Sequence, residues 1–103
     1  MNYVAAFFAG AFLCNTLPHL LCGLQGQPFP TPFAKPPGKG DSSPLVNFLW
    51  GFFNLAVGIA LLIWEPVTVG FTPDFATLSA GFLAIGMMTS LHFGNVRKNR
   101  TAK

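Results

Sequence analysis

Two histidines, two cysteines, three carboxylates and a short Gly38-Lys39-Gly40 run are the residues of this chain whose types could carry chemistry. Cys14, His19 and Cys22 lie closest together in sequence and could in principle hold a soft metal ion. On a helix His19 and Cys22 share a face, but Cys14 points about 100° away from that pair. Such spacing lacks the pattern of a zinc site, and free cysteines among apolar residues usually pack as small hydrophobes. His19 and His92 could face each other as axial haem ligands, although histidines near helix ends also serve as interfacial residues with a polar tip. Gly38-Lys39-Gly40 falls short of a phosphate loop, which needs a GxxxxGK run followed by Ser or Thr between a strand and a helix. Asp41, Glu65 and Asp74 are isolated from one another, so no paired carboxylate is available for acid-base work. No nucleophile elbow or HExxH run is present. These residues lead to an expectation of no catalytic activity, no metal and no cofactor.

The elements that must position these residues are apolar. Of the 103 residues 51% are apolar and 9% charged, with twelve phenylalanines, against roughly 25% charged in a soluble domain. A soluble chain of this size buries only ~60–70% of its unfolded surface and could not hide so much apolar area. Lipid removes the difficulty. The expected fold is an all-α integral membrane domain with three transmembrane helices at residues 3–24, 44–64 and 75–94, since about 20 apolar residues cross a bilayer core. A proline-rich loop at 25–43 joins the first two spans, and a polar, mobile tail fills 95–103. Ala9-Gly10-Ala11 has the small-residue look of a signal cleavage site, but a charged segment before it is missing and the apolar run continues past it. Bulky Leu13 before Cys14 speaks against a lipoprotein site.

Residues 26–44, GQPFPTPFAKPPGKGDSSP, form the one long polar break in the first two-thirds of the chain and hold six of its nine prolines. Prolines 28, 30 and 32 fix φ and remove donors, which predicts extended, polyproline-like backbone. Such backbone cannot lie bare in hydrocarbon. With Phe29 and Phe33 alternating with Pro30 and Pro32, it differs from a Gly/Ser linker and is expected to be ordered, as a candidate ledge for docking a partner. Ser43 then caps the second helix with Pro44 in its first turn, and Thr72-Pro73-Asp74 repeats the arrangement for the third.

Lys35 and Lys39 in the first connection, with Arg97, Lys98, Arg100 and Lys103 in the tail, fall on one side of a three-span protein. The other side holds Glu65 and Asp74 and no basic residue. The positive-inside rule then predicts an outside N-terminus and a cytoplasmic loop and tail. Because the net charge of +3 sits at these span ends and not on one aromatic-laced face, no nucleic-acid partner is expected.

Polar and small residues recur along one stripe of each span. Asn47, Gly51, Asn54 and Gly58 share a face of the second; Ala11, Asn15, Pro18, His19 and Cys22 of the first; Ser79, Gly86 and Ser90 of the third. Small residues let helices approach and amides bridge them, so Asn15, His19, Asn47, Gly51 and Asn54 are the candidate interhelical polar seam. Rise per residue sets Asn15 level with Asn54, and His19 level with residues 47–51. The absence of Asp, Glu, Lys or Arg within the spans argues against ion-coupled transport.

The runs Asn15-Thr16-Leu17-Pro18-His19, PFPTPFA at 28–34, PPGKG at 36–40, and Ser43-Pro44 through Asn47, Trp50-Gly51 and Asn54 resemble an uncharacterised family of small bacterial inner-membrane proteins of about this length. The resemblance covers roughly residues 10–58 and implies a bacterial inner-membrane location, without implying an activity or a ligand. The expected role is a small accessory or structural subunit that packs against a larger membrane complex. The alternative is a self-assembling channel or carrier with the asparagine-lined seam as its path. The partners expected are the lipid bilayer and other membrane-protein subunits or further copies of the chain.

Overall fold

Asn2 starts the first helix: its Oδ1 accepts from the Ala5 amide at 3.2 Å, satisfying one of the donors that a helix start leaves open. The structure, a computed structural model, describes residues 1–101. Helix α1 spans Tyr3–Leu24, α2 Pro44–Trp64 and α3 Pro73–Thr101. All three are long and apolar enough to cross a membrane. As expected, Ser43 Oγ caps α2 by accepting from Val46 N at 3.2 Å, and Thr72 Oγ1 accepts from Phe75 N at 3.3 Å. Between α1 and α2 lie two short strands, β1 (Phe29–Pro30) and β2 (Asp41–Ser42), paired antiparallel with Phe29 opposite Ser42 and Pro30 opposite Asp41.

Helix α1 is the centre of the molecule. It packs along both α2 and α3, whereas α2 and α3 scarcely touch among the described residues. Its apolar window is 44% buried, against 22% in α2 and 6% in α3. The cause is a run of small side chains on two faces, Ala5, Ala6, Ala9, Gly10, Ala11 and Cys14, all buried. Without bulk on either face, helices approach closely on both sides and gain dispersion contacts that lipid cannot supply as well.

The seam of α2 is as its sequence indicated: Asn47, Gly51, Asn54 and Gly58 are its buried residues. A Cβ on Gly51 would stand 2.6 Å from the Leu20 amide nitrogen, so the two backbones touch there. Of the α3 stripe, Gly86 does face α1, where a Cβ would stand 3.4 Å from Cys14 Sγ, but Ser90 requires correction. Ser90 is exposed and its hydroxyl turns back to the Gly86 carbonyl at 2.6 Å. The tightest α1–α3 approach is at Gly10 and Gly81, where a Cβ would collide with the Leu78 and Phe7 carbonyls respectively.

Two further expectations change. Residues 95–101 continue α3 as helix, because nothing after Gly94 breaks it, Val96 is buried and Lys98 and Arg100 suit the negative end of the dipole. At 1.5 Å per residue a helix of 29 residues is about 43 Å long, so its last turns reach beyond a hydrocarbon core of ~30 Å. Residues 102 and 103 lie outside the described residues, Lys103 among them. The proline-rich segment is ordered, but it is extended only at β1 and β2 and coils into turns between them across residues 32–40.

Candidate functional site

Asn47, with 0% exposure, organises the end of the bundle where the loop lies. Its Nδ2 donates toward three carbonyls: Phe29 at 2.9 Å, Ser42 at 3.1 Å and Ser43 at 3.1 Å. An amide carries two N–H groups, so at least one of these bonds is shared. Carbonyls only accept, which leaves Oδ1 to face His19. There the imidazole Nδ1 donates at 2.9 Å, and the network thereby places a proton on His19 Nδ1. One side chain thus ties α1, both strands and the first turn of α2 together.

Thr31 completes the loop from inside. It is 1% exposed; its Oγ1 lies 2.5 Å from Ser42 Oγ and accepts from Phe33 N at 3.2 Å. Its carbonyl accepts from Ala34 N at 3.1 Å and Gly38 N at 2.9 Å. These bonds explain the turns that replace the expected extended run: donors after Pro32 find a buried acceptor within reach, and the proline nitrogens need none.

The loop is also fastened to α3. His92 donates from Nε2 to the Gly38 carbonyl at 2.7 Å. Gly38 has φ +70°, a conformation glycine adopts without steric cost. Arg100 grips Asp41 with both terminal nitrogens at 3.1 Å and also donates to the Lys39 carbonyl. Its partners are about 40% exposed, so this ion pair contributes only ~0–1 kcal/mol. Phe29 is buried, its ring 4.7 Å from Phe93 and 5.5 Å from His19 between centroids. Phe33 instead stays 63% exposed, standing edge-on to Trp50 at 5.0 Å. Trp50 in turn stacks on Phe53 at 5.6 Å. Of the loop residues singled out in the sequence, Phe29 and Pro30 are buried while Pro32 and Phe33 face outward.

Deeper in the bundle, Asn15 Nδ2 donates to Asn54 Oδ1 at 3.1 Å, and Asn54 Nδ2 donates to the Trp50 carbonyl at 2.7 Å. All five seam residues therefore meet at the α1–α2 contact: two hydrogen-bonded pairs, with Gly51 against Leu20 between them. Cys14 and Cys22 are free thiols, and no trio of metal-ligating side chains gathers among the described residues. His19 and His92 do line one recess, but at about 150 Å³ it is too small for a macrocycle.

Two larger recesses flank α3, one against α1 and one against the loop. An apolar cleft of about 470 Å³ is lined by Phe8, Phe12, Asn15, Ile85 and Met88. A polar recess of about 820 Å³ at the loop end is lined by Lys39, Asn95, Asn99 and Arg100. His92 lines both.

Compared with protein-family models, curated proteins and solved structures, the chain matches none.

Sequence reasoning missed Thr31, the His92–Gly38 bond, the Arg100–Asp41 pair and the Gly10–Gly81 crossing. Thr31 carried a faint signal, as the one hydroxyl among alternating prolines and phenylalanines. The contacts to α3 carried none, since they join residues more than fifty positions apart.

Proposed function

We propose that the chain is a small accessory or structural subunit of a larger membrane assembly, without catalytic activity of its own, in a bacterial inner membrane. Its N-terminus faces outward, and the 25–43 loop and the end of α3 face the cytoplasm. The observation that carries this reading is the loop's construction. It is held to α2 through Asn47 and to α3 through His92 and Arg100, its Phe29 ring packs on His19 of α1, and it holds Phe33 outward at the head of an aromatic run through Trp50 to Phe53. A rigid segment loses little conformational entropy on binding, so exposed aromatic side chains on it are efficient contacts. The bare flanks of α3 add apolar surface on which lipid or another subunit can pack.

The alternative, a channel or carrier using the asparagine seam, has less support. Asn47 and Asn54 are at most 1% exposed and engaged by protein partners at both polar atoms, and Gly51 lies against the α1 backbone. A path would have to form between copies of the chain.

Mild-detergent purification of the full chain with mass spectrometry tests the proposal. Larger subunits at fixed stoichiometry, reduced by Phe33→Ala, are the expected result. A homo-oligomer alone, unaffected by Phe33→Ala, would sink it.

A further inference from the structure

The apolar cleft between α1 and α3 and the recess between α3 and the loop share His92 as a wall residue. The apolar cleft faces the hydrocarbon level of the bundle, and its lining is aliphatic and aromatic apart from Asn15, Asn54, Thr89 and His92. About 470 Å³ lies within the ~300–1,000 Å³ range of small-ligand clefts, which are mostly apolar with a few placed polar groups. The polar recess continues toward the loop end and supplies amides and cations. His92 is common to the two, so apolar, hydrogen-bonding and cationic surfaces follow one another along α3 in the order that a lipid presents tails, glycerol and headgroup.

Charge selects the headgroup. The described loop end carries Lys35, Lys39, Arg97, Lys98 and Arg100 against one acid, Asp41, which Arg100 already engages. The other two acids, Glu65 and Asp74, sit at the far end of the bundle. Basic pockets between transmembrane helices are where anionic headgroups bind. From this complementarity we infer that the α1–α3 cleft and the adjoining recess between α3 and the loop together form a binding site for an anionic phospholipid. Its phosphate is held at Lys39, Asn95, Asn99 and Arg100, and an acyl chain lies over Phe8, Phe12, Ile85 and Met88. His92, whose Nε2 is committed to Gly38, lies at the level between the two. The lipid would brace α3 where protein contacts are sparse, on a surface that Phe33 does not line.

Native mass spectrometry of the full chain, released from detergent with phosphatidylglycerol and phosphatidylcholine of matched chains in competition, tests this. Retained phosphatidylglycerol should exceed phosphatidylcholine. Lys39→Gln should lower that preference about fivefold, the effect of one basic residue beside an anionic headgroup. Met88→Trp, which fills the cleft and leaves every charge in place, should lower retention of both lipids. Lys35→Gln, on the loop but lining neither recess, should change neither. Lys39 and Met88 are exposed, so neither substitution removes packing that the fold depends on. The inference is overturned if Lys35→Gln acts as strongly as Lys39→Gln, which would make the attraction diffuse. It is equally overturned if Met88→Trp retains lipid unchanged, or if Met88→Trp abolishes a dimer of this chain and no lipid adduct is seen.

Discussion

His19 on α1 donates from Nδ1 to Oδ1 of Asn47 on α2, 28 residues later and 2.9 Å away. That bond turns the remaining face of the Asn47 amide toward the Phe29, Ser42 and Ser43 carbonyls, so one interhelical contact sets both the helix pair and the loop.

Replacing Asn47 should therefore loosen the loop before it separates the helices. Asn47→Leu leaves a buried imidazole donor and loop carbonyls unpaired, at about 1–3 kcal/mol per unsatisfied group. Asn47→Asp should fail as well, because a carboxylate can accept from His19 but cannot donate to the carbonyls. Limited proteolysis between residues 31 and 40 reads the effect: fast cleavage in both variants is expected, and protection equal to the parent chain would remove Asn47 from its central place.

Asn15 and Asn54 should couple weakly. Interhelical hydrogen bonds in membranes average ~0.6 kcal/mol and reach ~1.7. A double-mutant cycle of Asn15→Ala and Asn54→Ala, followed by unfolding in mixed micelles, should return a coupling in that range. Asn54→Ala alone should cost more than Asn15→Ala alone, since Asn54 also bonds the Trp50 carbonyl and is the more deeply buried.

Two glycines of α3 should respond with opposite signs. At Gly81 a new Cβ meets the Phe7 backbone, so Gly81→Ala should part α1 from α3 and destabilise the protein by at least ~1–3 kcal/mol, as overpacking does. At Gly94 nothing lies within 4 Å, and Gly94→Ala should stabilise by about 0.5–1 kcal/mol through helix propensity. Unfolding midpoints that move in the same direction for both would refute the Gly10–Gly81 crossing.

The proposed orientation is checked with topology reporters. One fused after the last residue should report cytoplasm, and one inserted between Pro66 and Phe71 should report the outside, following the one-sided placement of Lys and Arg. A C-terminal fusion reporting the outside would reverse the assignment.

The three helices, their caps at Ser43 and Thr72, and the α1–α2 seam were all legible from residue order. Hydropathy and capping are local signals. The seam is nearly so, because two spans joined by a folded-back loop must run antiparallel, and 1.5 Å per residue then matches Asn15 to Asn54 and His19 to Asn47. What lay beyond residue order was the place of α3 and the inner fold of the loop. Every face of α3 carries small or apolar residues in lipid, so composition does not distinguish its packed side. Only the close approach of two backbones at Gly10 and Gly81 chooses one. The loop followed the same rule: proline content indicated stiffness, but its path was decided by buried acceptors on Thr31 and a buried donor on Asn47. Those groups are close in sequence, but they must pair with the loop backbone only once the helices have brought them out of water, where an unpaired polar group is too costly to leave.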